Sequence, residues 1–220
     1  MHSAGQQGIT MLARGDIAEI PPFRKRLPTP EARAPAPAPA PLPRTEFALR
    51  ATPADLGGKH GRHATFEWPC GDAYDGWAAN GKRQGRGTYT FANGATLECD
   101  WVEDAPGGRG VFKVPRGAVY RGPFRDGLFH GKGVLKFGGN TYRGAFRAGA
   151  FHGSGTLALA GGDRYEGAFR NHRFHGRGAY FWKSGQRYEG LFEDGAMTGR
   201  GVASWPGGQR YAGDYVDGRR

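Results

Sequence analysis

A spacing constrains this chain more than any other feature. Tyr74, Leu97, Tyr120, Tyr142, Tyr165, Tyr188 and Tyr211 succeed one another at intervals of 23, 23, 22, 23, 23 and 23 residues. The unit is clearest over residues 142–162, where Tyr142, Gly144, Phe146, Gly149, Gly153 and Gly155 mark positions that recur in its neighbours. A fixed period in this range is produced by one supersecondary unit stacked on copies of itself. The chain is therefore a repeat array.

Within the unit, Tyr142, Gly144 and Phe146 alternate with Arg143, Ala145 and Arg147, which is the two-residue period of a β-strand. Gly149 to Gly153 reads as a turn. Gly153, Gly155, Leu157 and Leu159 then alternate with Ser154, Thr156 and Ala158 in a second strand, and Gly161-Gly162 reverses the chain into the next unit. Each repeat is thus expected to be a β-hairpin. Glycine inside a strand is a cost unless something covers it. The sequence predicts Tyr and Phe rings lying over Gly153, Gly155 and their equivalents, giving one aromatic face and one small, charged face.

Forty glycines without a three-residue period exclude collagen, and 5 Trp, 9 Tyr and 14 Phe argue against plain disorder over the array. The outlying segments differ. Residues 1–50 read as a disordered, basic tail, with a short helix candidate at 11–20 that Pro21-Pro22 ends, and with an Ala-Pro alternation from Ala34 to Pro41. Residues 51–73 read as a degenerate capping repeat, because Trp68-Pro69-Cys70-Gly71 precedes Tyr74 as Trp205-Pro206-Gly207-Gly208 precedes Tyr211. The array proper spans 74–220, as six full units and a truncated seventh. Cys70 and Cys99 are read as free thiols of a reducing compartment. No stretch approaches the ~20 apolar residues of a membrane span, so a cytoplasmic protein is expected.

The formal net charge is +11, which favours acidic partners. Arg86, Arg109, Lys132, Arg177 and Arg200 sit between the paired glycines of successive units, on the face opposite the aromatics. His130, His152 and His175 share one repeat position, but equivalent positions two strands apart are ~10 Å from one another, too far to share a zinc ion. The recurring Gly-x-Gly leads into strands, so it does not cradle phosphate as a strand-to-helix loop does. Ser154, Ser184 and Ser204 have no base partner that the repeat would supply. No catalytic residue, metal or cofactor is expected.

The pattern Tyr-x-Gly-x-Phe-x-x-Gly-x-x-x-Gly-x-Gly closely resembles the MORN repeat (membrane occupation and recognition nexus), over roughly two thirds of the chain. Departures are Trp77-Ala78 where Phe is expected, Leu97, Cys99 and Asp104 in the second unit, and His172 for Gly in the fifth. The resemblance implies an all-β fold, an elongated single-layer twisted antiparallel sheet of consecutive hairpins with a partly open aromatic groove. It further implies a non-enzymatic scaffold or adaptor that binds a protein segment, helical or extended, at cytoskeletal, ciliary or membrane-associated assemblies. Tyr120, Phe124, Tyr142, Phe146, Tyr165, Phe169, Tyr188 and Phe192 are the expected contacts. The alternative is a peripheral membrane module that binds acidic phospholipids, phosphoinositides in particular, through Arg86, Arg109, Lys132, Arg177 and Arg200. Nucleic acid is not expected, because the aromatics do not interleave with the basic stripe. The unpaired edge at Tyr211 to Val216 would permit a homodimer.

Overall fold

The computed structural model describes residues 61–219; the tail, the helix read at 11–20 and the start of the capping segment lie outside the described residues. The described chain is all-β: fifteen strands, antiparallel throughout. It divides into two compact units, residues 61–137 with 147–149, and residues 138–146 with 150–219.

The first unit contains β1 (Arg62–Glu67), β2 (Ala73–Ala79), β3 (Lys82–Thr90), β4 (Thr96–Val102), β5 (Ala105–Lys113), β6 (Val119–Arg125), β7 (Leu128–Phe129) and β8 (Gly131–Phe137). Its strands lie side by side in chain order, with β7 a short extra partner of β6. β1 pairs with β2, setting Phe66 opposite Tyr74, and Trp68 packs on Phe66 and Tyr89. The second unit contains β9 (Asn140–Arg147), β10 (Ala150–Ala158), β11 (Arg164–Arg170), β12 (Arg173–Phe181), β13 (Arg187–Glu193), β14 (Ala196–Ser204) and β15 (Arg210–Tyr215), again in chain order.

The turn within a repeat is tighter than the sequence suggests. It consists of two residues, Asn80-Gly81, Asn171-His172 or Asp194-Gly195, each with φ between 47° and 95°. Two positive φ values define the type I′ turn, whose twist matches that of the flanking strands. In the unit beginning at Tyr142 the same turn is Ala148-Gly149, so the expected turn of Gly149 to Gly153 is corrected, and β10 already begins at Ala150. This places Phe151, and Phe174 in the next unit, on strands with their rings inside.

The paired glycines do two different jobs. Gly176, the first of its pair, takes φ +61° at a bulge where the β11–β12 register shifts, between Gly167 opposite Gly178 and Phe169 opposite Phe174. A Cβ there would point at Ala168 on the outer face, and likewise Gly153 faces Ala145 and no ring. The expectation that a ring covers Gly153 is therefore corrected. Gly178, the second glycine, does lie under a ring: a Cβ would fall 2.6 Å from Cζ and 2.7 Å from Cε2 of Tyr165.

The core is built from these rings. Tyr165 stacks on Phe174 at 3.9 Å and receives the edges of Phe169 at 5.0 Å and of Phe192 at 5.1 Å. Phe174 belongs to its own hairpin and Phe192 to the next, so each tyrosine joins two repeats. Its hydroxyl donates to the carbonyl of Ala168 at 2.9 Å, beside the bulge. Tyr142 does the same with Ala145 at 2.8 Å. A backbone bond also ties each hairpin to its predecessor, as Gly195 N–H to Phe174 C=O at 2.9 Å and His172 N–H to Phe151 C=O at 3.1 Å.

Candidate functional site

The eight aromatic residues expected to line an open groove are closed off. Tyr120, Phe124, Tyr142, Phe146, Tyr165, Phe169, Tyr188 and Phe192 are at most 5 % exposed. The physical reason is the third ring of each repeat, Phe129, Phe151 or Phe174, which stacks on the tyrosine at 3.6–3.9 Å. The expectation of an accessible Tyr/Phe groove is corrected on this point: these side chains form the core. Burial pushes the hydroxyl pKa of Tyr142 and Tyr165 well above the usual range, and that of Tyr188 up to about 12. Their protons are committed to backbone carbonyls.

The aromatic face stays partly open at one place in the second unit. Trp182 and Trp205 occupy the same repeat position, seventeen residues after Tyr165 and Tyr188, and both are half-buried. With Tyr188, Met197, Ala203 and Tyr215 they line a hollow of about 40 Å³. The equivalent first-unit residues Phe91 and Phe137 are fully covered, at 1 % and 4 %. Each tryptophan begins a four-residue turn closed by a glycine, as in Gly185 N–H to Trp182 C=O at 2.9 Å and Gly208 N–H to Trp205 C=O at 3.0 Å. The backbone therefore holds the two rings while leaving one flank to solvent. Trp182 and Trp205 recur at the 23-residue period, and nothing in the spacing distinguishes them from the buried rows.

The five basic residues are all exposed, but they divide between the units. Arg86, Arg109 and Lys132 meet Arg121, which sequence reasoning missed, around a groove of about 480 Å³ on the outer face of the first unit. Val111 and Val134 flank Arg121 on the neighbouring strands and form the groove floor with bare glycine backbone. Arg86 is paired with Glu98 at 2.7 Å and Asp100 at 3.7 Å, and donates to the carbonyl of Arg109 at 3.1 Å. Arg177 and Arg200 lie in the second unit, on β12 and β14.

Two departures from the repeat have polar compensation. Asp104 stands where other units have glycine, at φ 69°, and its carboxylate accepts from the backbone N–H and Nε of Arg83 at 2.8 and 2.9 Å. Arg83 occupies the place of Phe129, Phe151 and Phe174, is wholly buried, and has its guanidinium 4.7 Å from the Trp101 ring and 5.2 Å from Tyr89. His172, also in a glycine position, accepts weakly from Phe151 N–H through Nδ1 at 3.5 Å, and burial lowers its pKa to about 4. Cys99 is buried, with its thiol pushed up to about 12 by desolvation, whereas Cys70 is exposed. Among the described residues no group of three or more His, Cys, Asp or Glu side chains is placed to hold a metal, and no helix is long and apolar enough to cross a membrane.

Comparison with known proteins agrees with the repeat geometry. The MORN repeat family pattern matches residues 79–96, 120–141, 142–164, 165–187 and 188–210. Alsin from Homo sapiens and from Rattus norvegicus is 38% identical over 89 residues, which is 38% of this chain and 5% of alsin. The match thus spans a small fraction of those relatives. Among solved structures, the SAS-4 (dCPAP) TCP domain of Drosophila melanogaster, in complex with a proline-rich motif of Ana2 (dSTIL), aligns at 13% identity. That alignment covers 79% of this chain and 99% of that one, with a TM-score of 0.42. The TCP10 domain of Danio rerio CPAP aligns at 13% identity over 71% and 100%, with a TM-score of 0.25. The matched residues take in β3 and the strands β6 to β14, where Tyr120, Tyr142, Tyr165 and Tyr188 each cross a glycine pair, and the chain belongs to the MORN repeat family.

Proposed function

We propose that this chain is a non-enzymatic scaffold that docks a protein segment on the aromatic face, at Trp182 and Trp205. One observation carries the reading: in the second unit these two tryptophans remain half-open while Tyr142, Phe146, Phe151, Tyr165, Phe169, Phe174, Tyr188 and Phe192 are spent on internal packing. Tryptophans presenting one flank over a small apolar hollow are the usual energetic anchors of protein interfaces. The hollow of about 40 Å³ takes the tip of one aliphatic side chain, so the partner is a segment with a single small apolar anchor. Cytoskeletal or membrane-associated assemblies are the proposed setting.

The test is selection of peptides against the full chain from a random displayed library. Recovered peptides should share one aliphatic anchor, and Trp182→Ala with Trp205→Ala should weaken them about 30-fold, the ~2 kcal/mol of an interface anchor. Peptides that bind this double variant as well as the parent would refute the reading.

A further inference from the structure

A second site lies apart from the tryptophans, on the outer face of the first unit. Its walls are Arg86 from β3, Arg109 from β5, Arg121 from β6 and Lys132 from β8. Arg86 is paired with both Glu98 and Asp100, a cluster of net charge −1, so it offers no free positive charge. Among the described residues, Arg109, Arg121 and Lys132 have no ion-pair partner. Three cations brought together around one hollow repel each other, so the arrangement is most stable with an anion among them.

The floor narrows the choice of anion. Val111 and Val134 stand opposite Arg121 on either side, and the glycines between them expose only backbone. A small ion would satisfy the cations and leave the half-buried valines uncovered. No aromatic ring lines the groove, so nucleic-acid bases have nothing to stack on. An extended peptide fits both parts. Its side chains on one face repeat every ~6.7 Å, which matches the two-residue offset along the strands between Arg121, level with Val111, and Arg109, level with Pro123, while the intervening small apolar side chains cover the valine floor.

We propose that this groove binds an extended acidic protein segment, with carboxylates at alternate positions and small apolar residues between them. The contacts are Arg109, Arg121 and Lys132, with Arg86 as an already paired wall. This site is independent of the tryptophan reading.

The probe is a fluorescent eight-residue peptide of alternating Glu and Val, titrated by anisotropy into the full-length chain at low and physiological salt. Arg109→Ala with Lys132→Ala should reduce affinity at least tenfold. Arg177→Ala with Arg200→Ala removes the same charge from the other unit and should change it less than twofold. All four side chains are exposed, and circular dichroism checks the fold of each variant. Equal losses in the two pairs would overturn the site in favour of general charge attraction. Parent-like affinity in the Arg109/Lys132 variant would overturn it outright. Displacement of the peptide by phosphatidylserine vesicles through the same residues would overturn it in favour of a membrane surface.

Discussion

Gly178→Ala is the most informative substitution in the array. A Cβ there falls 2.6 Å from Cζ and 2.7 Å from Cε2 of Tyr165, nearer than carbon atoms pack. The ring has nowhere to go, because Phe174 stacks on it at 3.9 Å while Phe169 and Phe192 abut it at 5.0 and 5.1 Å. Overpacking of this kind costs about 1–3 kcal/mol. Displacing the tyrosine also breaks the hydroxyl bond to Ala168, worth about 0.5–1.5 kcal/mol net. The expected loss is therefore about 2–4 kcal/mol. A double-mutant cycle in urea isolates the ring. In a Tyr165→Leu background, already destabilised by its own cavity, Gly178→Ala should cost less than about 1 kcal/mol, giving a coupling above ~1 kcal/mol. An equal cost in both backgrounds would refute the claim that the glycine exists to admit the ring.

Three further outcomes follow from polar departures. His172 has its pKa depressed to about 4 against an ordinary 6.5, so the unfolded chain binds the extra proton first. Its contribution is whole above about pH 6.5 and is lost as pH falls towards 4, by up to about 3 kcal/mol. His172→Gly should flatten that part of the stability profile, and an unchanged slope between pH 6.5 and 4 would contradict the assignment. Asp104→Ala should cost about 3–5 kcal/mol by stranding the buried Arg83, whereas Arg83→Phe with Asp104→Gly, the pairing found in other units, should be near neutral in a thermal melt. Folded protein should show one fast thiol towards an aromatic disulfide reagent at pH 8, Cys70, and a second only on unfolding, because Cys99 is buried with a thiol pKa of about 12.

The hairpin array was legible in the sequence because a 23-residue period states the fold many times over. The glycine pair was legible too, but only half correctly. Gly153 and Gly155 look alike to a two-residue alternation, and a bulge at the first of them turns it to the other face. Phe151 was read as turn because it precedes His152-Gly153, and its burial follows from a type I′ turn one step earlier. That ring, repeated as Phe129 and Phe174, decides whether the tyrosine row is groove or core. Trp182 and Trp205 could not be singled out, since their exposure depends on how neighbouring hairpins cover each ring. Arg121 was missed because its place in the groove comes from strand pairing, beside Val111 and Val134, and not from the repeat positions that supply Arg109 and Lys132.

The central claim is that the aromatic face holds its Tyr/Phe rows as core and offers Trp182 and Trp205 as contact. The direct test measures thermal stability and affinity for a selected peptide side by side in two double variants. Phe146→Ala with Phe169→Ala should destabilise severely, since each buried ring costs about 3–5 kcal/mol. Trp182→Ala with Trp205→Ala should keep the fold and lose the peptide. Retained stability with lost affinity in the phenylalanine pair, alongside unchanged affinity in the tryptophan pair, would contradict the account.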